Sequence, residues 1–280
     1  MIRHGQSPLS PRGGRLSLVA GIDVGSTYTK AVLLDEEDNI ASRAMKSTGF
    51  KLGQTAQSTF EESLKKIGTS ESDVDYVIST GYGRHQVEFR DVTVTALTSA
   101  VRGANWLFPE TRTVLDIGGQ TMKASKLDER IKVKSFRLND KCAAGTGAFL
   151  EKTARYMNFS TEEIGPLAAT STVPVEISGV CAVFAESEVI NQLSIGSAPS
   201  DIMNGAMHSL VGRSLQLMRR VKMEPDYTLI GGIMRFPTMV EALTEGLGDG
   251  VNVPEGDLVQ YTGALGAATL ARQRLEKRGG

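Results

Sequence analysis

Cysteine is almost absent: Cys142 and Cys181 are the only two in 280 residues. That excludes a disulfide scaffold, which depends on dense cysteine, and leaves each thiol to be explained by its own surroundings. Histidine is scarce too. His4, His85 and His208 are scattered without metal-ligand spacing, which excludes a histidine-built zinc site. The single tryptophan, Trp106, is expected in the core. Neither sign of charge dominates: 31 Lys and Arg face 32 Asp and Glu, a formal net charge of −1. No basic field points to nucleic acid and no polybasic segment to a membrane surface. No uncharged apolar run approaches the roughly eighteen residues of a membrane-spanning helix. The opening segment MIRHGQSPLSPRGGR, residues 1–15, lacks the apolar run of a signal peptide and is expected to be a disordered tail of a cytoplasmic protein. With 40% hydrophobic and 22% charged residues, there is ample material for one large domain or two smaller ones sharing a cleft.

What the chain does have is a repeat. Residues 23–36, DVGSTYTKAVLLDE, recur as residues 116–129, DIGGQTMKASKLDE, at a constant offset of 93. Seven pairs match in step: Asp23/Asp116, Gly25/Gly118, Lys30/Lys123, Ala31/Ala124, Leu34/Leu127, Asp35/Asp128 and Glu36/Glu129. Each copy begins as an apolar strand, LVAGIDVG or TVLDIGG, bends at glycine, and returns through an apolar–polar stretch, as a hairpin does. Two related halves facing each other follow from this. Helical spacing predicts helices over 54–67, 96–106, 148–158, 185–193, 201–221 and 264–277. Short strands are predicted at 75–80, DYVIST, and 226–230, DYTLI. Strands and helices alternate, so the class is α/β. The expected division is lobe I over 16–108, completed by the C-terminal helix at 264–280, and lobe II over 109–263, carrying both cysteines.

The turns carry the chemistry. Glycine lets backbone N–H groups approach a phosphate and tolerates positive φ, which makes Gly25, Gly118 and Gly119 candidate phosphate-binding residues. Ser26 and Thr27 add hydroxyl donors. Lys30 adds a cation, or stands on a strand face. Asp23 and Asp116, at strand ends, can hold Mg²⁺ through water. One such turn alone reads equally well as a plain hairpin; two facing copies favour a phosphate clamp. Gln120 is placed to orient an attacking water, with Asp116 as the competing candidate. Gly145, Thr146 and Gly147 form a third glycine turn at a predicted helix start, where amides and dipole favour an anion. Gly231 and Gly232, in LIGGI, suit a flat base lying on bare backbone, although a strand–helix turn is the plainer reading. Arg84 is expected to brace the lobes. Glu186 and Glu188 are expected to be solvated or capping rather than ligands of ribose or Mg²⁺.

GIDVGSTYTK, TVLDIGGQTMK, the CAAGTG turn, LIGGI and the final GALGAA resemble the phosphate-1, phosphate-2, connect-1, adenosine and connect-2 elements of the acetate and sugar kinase/Hsp70/actin superfamily. The resemblance covers nearly all of the chain after residue 16. It implies a duplicated actin-like ATPase (ribonuclease H-like) fold, with ATP or ADP and Mg²⁺ between two lobes. TGYGR at 80–84, LDIGGQ at 115–120, NDKCAAGTG at 139–147 and VFAESEVI at 183–190 are further similar to the BadF/BadG/BcrA/BcrD ATPase family. That family holds the activators of 2-hydroxyacyl-CoA dehydratases and the ATPase subunits of benzoyl-CoA reductases. The resemblance implies an oxygen-sensitive [4Fe-4S] cluster shared between two subunits, with Cys142 and Cys181 as this chain's metal ligands.

The residues agree with that implication. A [4Fe-4S] cluster takes about four thiolates, and two chains supply them. Both cysteines precede predicted helices, whose N-termini favour the thiolate. The bland alternative is two buried free thiols. The segment GGIMRFPTM departs from the small polar run expected in dehydratase activators. Its bulk, with the short chain, favours the benzoyl-CoA reductase type (BcrD/BadG). The implied function is an ATP-hydrolysing electron-transfer subunit that takes electrons from ferredoxin and delivers them at low potential to acyl-CoA-binding reductase subunits. Its ATPase partner is a related, longer subunit in a heterodimer, or a second copy in a homodimer. The rivals are a homodimeric dehydratase activator and a small-molecule kinase of the same superfamily.

Overall fold

The computed structural model of the protein describes residues 17–139, 145–177 and 182–279. The segment expected to be a tail, 1–15, and both candidate metal ligands, Cys142 and Cys181, lie outside the described residues.

The first half contains Leu18–Val24 (β1), Tyr28–Leu34 (β2), Ile40–Ser47 (β3), Leu52–Lys66 (α1), Val74–Gly81 (β4), Val92–Thr93 (β5) and Ala96–Leu107 (α2). The second contains Thr113–Ile117 (β6), Met122–Leu127 (β7), Val133–Asn139 (β8), Gly147–Tyr156 (α3), Ile164–Ala169 (α4), Ala182–Ser194 (α5), Pro199–Arg220 (α6), Tyr227–Ile230 (β9), Pro237–Leu247 (α7) and Val251–Asn252 (β10). Leu258–Gly279 (α8) closes the chain. One sheet runs β3-β2-β1-β4-β5, and the other, read in the same sense, β8-β7-β6-β9-β10. The pairings match strand for strand. The hairpin partners are antiparallel, and the returning strands β4, β5, β9 and β10 are parallel to their neighbours. The repeat read in the sequence is therefore a repeat of topology, and the architecture is the duplicated actin-like α/β fold.

Most of the matched residue pairs have a physical job. Ala31 and Ala124, Leu34 and Leu127 are buried beneath helices. The register of the hairpin shifts at Leu33/Leu34 in one copy and at Lys126/Leu127 in the other. Asp35 and Asp128 close the following turns. The Oδ1 of Asp35 accepts from the Glu37 and Asn39 amides, and that of Asp128 from the Arg130 and Lys132 amides. An aspartate that bonds the backbone two residues on is the side-chain mimic of a turn. The turns even share a left-handed residue, Asp38 with φ 63° and Ile131 with φ 57°; the β-branched isoleucine is the strained copy.

β1 is buried on both faces. Ala20 and Ile22 pack with Phe60 of α1, whereas Val19 packs with Tyr76, Ile78 and the alanines of α8. Between them Gly21 faces α8, where a Cβ would lie 1.9 Å from the Ala264 carbonyl oxygen. The same close approach joins α2 to α8: a Cβ on Gly103 would meet the Thr262 carbonyl oxygen at 1.9 Å, and one on Gly266 that of Ser99 at 1.8 Å. α2 in turn buries Ala100, Val101 and Ala104 against Val114, Leu127 and Ile230 of the second sheet. The final helix thus lies on the first sheet and α2 on the second, crossing each other through glycine. Sequence reasoning gave the connecting role to the CAAGTG turn; the helix that pairs with the GALGAA helix is α2. Trp106 is not a core residue but 37% exposed, because the buried stripe of α2 must be small for α8 to approach. Among the described residues no helix is long and apolar enough to cross a membrane.

Candidate active site

The C-terminal ends of β1 and β6 and the turns after them open onto one cleft of about 330 Å³. In each hairpin the register sets an aspartate directly opposite a lysine, Asp23 opposite Lys30 and Asp116 opposite Lys123. Lys30 Nζ lies 3.2 Å from Asp23 Oδ2, and Lys123 Nζ 2.8 Å from Asp116 Oδ2. All four side chains line the cleft yet keep only 14–18% of their surface exposed. For Lys123, burial alone pushes the pKa down. The Asp116 carboxylate, its hydrogen bond, and the charge of Asp23 more than offset this, so the value lies above that of an ordinary lysine. Lys123 is missing from the sequence-derived site, although it repeats in step with Lys30; the constant offset was the signal that could have found it.

Each turn is closed by its first glycine, Gly25 N–H donating to the Tyr28 carbonyl (3.1 Å) and Gly118 N–H to that of Thr121 (2.8 Å). The two turns meet across the cleft, where a Cβ on Gly119 would stand 2.3 Å from Thr27 Oγ1. Ser26 and Thr27 line the same wall region as Gly118 and Gly119, with Gln120 exposed beside them.

The GTG turn sits differently from expectation. Of its residues only Gly147 lines the cleft. Thr146 is fully buried, and Gly145 stands against the Asn139 side-chain amide. The Gly147 and Ala148 amides donate to the carbonyls of Gly118 (3.0 Å) and Gly119 (2.8 Å). These are the helix-start donors that the sequence reading offered to an anion. Protein carbonyls satisfy them instead, so the turn buttresses the Gly118–Gly119 bend from behind. At the far wall, Gly231 follows β9 with φ 100°, and a Cβ there would lie 2.3 Å from the Ile117 carbonyl oxygen. Gly232 beside it lines the cleft as bare backbone, with Gln260 Oε1 3.6 Å from where its Cβ would be.

A model of the BadF/BadG/BcrA/BcrD ATPase family matches residues 20–271. The chain belongs to this family. It is 39% identical over 252 residues to the 2-hydroxyisocaproyl-CoA dehydratase activator of Clostridioides difficile, covering 90% of this chain and 93% of that one. It is 34% identical over 276 residues to a benzoyl-CoA reductase subunit of Thauera aromatica, covering 94% and 95%. The solved structure of the activator of the 2-hydroxyisocaproyl-CoA dehydratase from Clostridium difficile with bound ADPNP superposes with a TM-score of 0.87 at 35% identity, over 94% of this chain and 97% of that one.

In this member of the BadF/BadG/BcrA/BcrD family the other sequence-derived candidates fall as follows. Arg84 lines the cleft and donates to the Gly81 carbonyl (3.0 Å), bracing its own loop. Glu186 pairs with Lys152 at 2.7 Å and, like Glu188, does not line the cleft. Met234 and Phe236 are buried in the core of the second lobe, Phe236 against Gly165, and Phe236 also lines the cleft. The bulk of Met234 is therefore core packing. Arg235 reaches the cleft wall, 3.8 Å from Glu162.

Glu151 of α3 is a wall residue that sequence reasoning missed. Burial raises its pKa, and nearby Glu162 adds to this, while Arg155 and Arg235 oppose. A carboxyl whose folded pKa is raised weakens the fold as pH climbs through that value. Glu151→Gln is accordingly expected to raise the Tm at pH 7 by about 1 °C, a small gain because the group is screened. The gain should vanish below about pH 4, where both states are protonated. Thermal unfolding at the two pH values checks this; a lower Tm at pH 7 would contradict it.

Proposed function

We propose that the protein is an electron-transferring ATPase that hydrolyses MgATP to ADP in the cleft between its two hairpins and uses that cycle to serve an acyl-CoA-converting partner. The observation that carries this reading is the repeated, desolvated Asp–Lys pair facing one cleft from both lobes. Lys30, Ser26, Thr27 and the amides around Gly25, Gly118 and Gly119 hold the polyphosphate. Gly145 and Thr146 act behind them as support, and Gly147 at the rim. Asp23 and Asp116 face the metal, and Asp116 or Gln120 orients the attacking water. Gly231 and Gly232 carry the base.

The donor set fits Mg²⁺. Among the described residues no group of three His, Cys, Asp or Glu side chains converges. Mg²⁺ does not need one, since it keeps several waters and binds through one or two carboxylates plus substrate phosphates.

The two thiols per chain fit a [4Fe-4S] cluster by count, two chains giving the four thiolates it takes. Such a cluster supplies a one-electron carrier of low potential. Cys142 and Cys181 are its proposed ligands. Within the chain, the Gly147 and Ala148 hydrogen bonds tie the Gly118–Gly119 bend to the start of α3, and residue 142 lies just before that start. A movement of the bend with the γ-phosphate is thereby passed to the start of α3.

For the partner, the 39% identity to a dehydratase activator favours activation of a 2-hydroxyacyl-CoA dehydratase; a homodimer is the proposed form for that role. The second reading is the benzoyl-CoA reductase subunit, with ferredoxin as donor, a longer ATPase subunit in a heterodimer, and separate subunits for the aromatic thioester. It is favoured by the 34% identity to the Thauera reductase subunit over 276 residues. Anaerobic co-purification separates them. A dimer of the chain alone that activates a dehydratase component with MgATP supports the first, and a longer related ATPase subunit as companion supports the second. Transfer of the γ-phosphate to a sugar would overturn both.

A further inference from the structure

We propose that Lys123 is a positioning residue that exchanges partners: it holds Asp116 before nucleotide enters, and turns to the polyphosphate when MgATP binds, freeing Asp116 for the metal. The proposal rests on the cleft being a MgATP site.

The geometry leads there in three steps. First, two carboxylates, Asp23 and Asp116, line one small cleft. Second, the cations that face them are built into the strands. Cross-strand register fixes Lys30 on Asp23 and Lys123 on Asp116, so the two carboxylates and the two ammonium groups offset one another. The pairs are not equal: Lys123 makes the shorter contact, 2.8 Å against 3.2 Å. It also feels the charge of Asp23 from the opposite lobe. Third, MgATP brings one dication and a polyanion. Aspartates to magnesium and lysines to phosphate gives each of the four side chains a new counter-ion, so that none of them is left alone, the arrangement that is otherwise costly. A lysine serves this role better than an arginine, because its compact head on a flexible stem can swing between two anions.

A competitor for Asp116 has a signature that a merely structural lysine lacks. Removing its charge should strengthen metal binding to the nucleotide-free protein while weakening binding of the nucleotide. Lys123→Met and Lys123→Gln are compared with wild type in two titrations. One follows Mn²⁺ by electron paramagnetic resonance without nucleotide, and the other follows ATP by calorimetry in EDTA. Mn²⁺ is expected to bind about tenfold tighter and ATP about tenfold weaker. Lys123→Arg, which keeps the charge, should restore both to within about threefold of wild type. Affinities for Mn²⁺ and ATP that fall together, or that stay unchanged, would overturn the proposal. So would failure of both neutral variants to fold while Lys123→Arg folds, which would mark the lysine as a structural counter-ion. Wild-type protein that binds no ATP at all would instead defeat the MgATP reading itself.

Discussion

Asp116→Asn is expected to lower the rate of MgATP hydrolysis about 10²–10⁴-fold, the range typical for loss of a positioned acid–base group. The asparagine side chain has nearly the same shape and still accepts a hydrogen bond from Lys123, so the hairpin should survive. What it loses is the negative charge, and with it both the hold on the metal and the ability to polarise a water. Lys123 keeps a counter-charge in Asp23, which already acts on it from the other lobe. The expected pattern is a collapse in kcat with ADP binding kept within about tenfold. Steady-state hydrolysis and ADP calorimetry on the same preparation read both quantities. A fall of less than about threefold in kcat would place the hydrolytic step away from Asp116.

The largest effect on stability is expected at Gly231. An alanine there meets two separate obstacles. Its φ of 100° lies outside what an L-residue adopts, at a cost of about 1–2 kcal/mol. Its Cβ would also stand 2.3, 2.7 and 2.9 Å from the O, C and N atoms of Ile117. Those are backbone atoms of β6, held in the ladder with β9 through Asp116 and Ile230, so they cannot yield as a flexible side chain would. Overpacking of this kind adds about 1–3 kcal/mol. Together the expected loss is about 2–5 kcal/mol, or a fall in Tm of about 5–15 °C for a chain of this size. The neighbouring Gly232→Ala is the control: its Cβ would have nothing nearer than 3.6 Å, so thermal unfolding should change by no more than about 2 °C. Equal falls for both variants would contradict the distinction between a glycine required by the strand and one left bare toward the cleft.

Much of the fold was legible because the repeat is written in residues with specific jobs. Aspartate and lysine at cross-strand positions, glycine at the bend and aspartate at the next turn each answer a local constraint, and all recur at the same offset. The third strand of each sheet was not legible. β8, VKSFRLN, is an edge strand with Phe136 and Leu138 both 46% exposed, so it lacks a clean inside–outside alternation. β5 and β10 are two residues each, too short to carry a pattern. The last helix begins at Leu258 rather than 264, and its glycines Gly263 and Gly266 are where α8 meets the Asp23 carboxylate and the backbone of α2.

At the site, the facing aspartates, Lys30, the hairpin-turn residues and Gly231–Gly232 line one cleft. The role of the GTG turn was hidden, since no sequence pattern says that the Gly147 and Ala148 amides are already donated to Gly118 and Gly119. Glu151 was hidden as well: a glutamate in a helix gives no sign of which neighbours enclose it.

Iron and acid-labile sulfide in anaerobically purified wild-type protein test most directly whether this ATPase carries electrons. About four iron and four sulfide per two chains are expected, with the protein running as a dimer. Preparations that hydrolyse MgATP yet contain less than about half an iron per two chains would contradict that role.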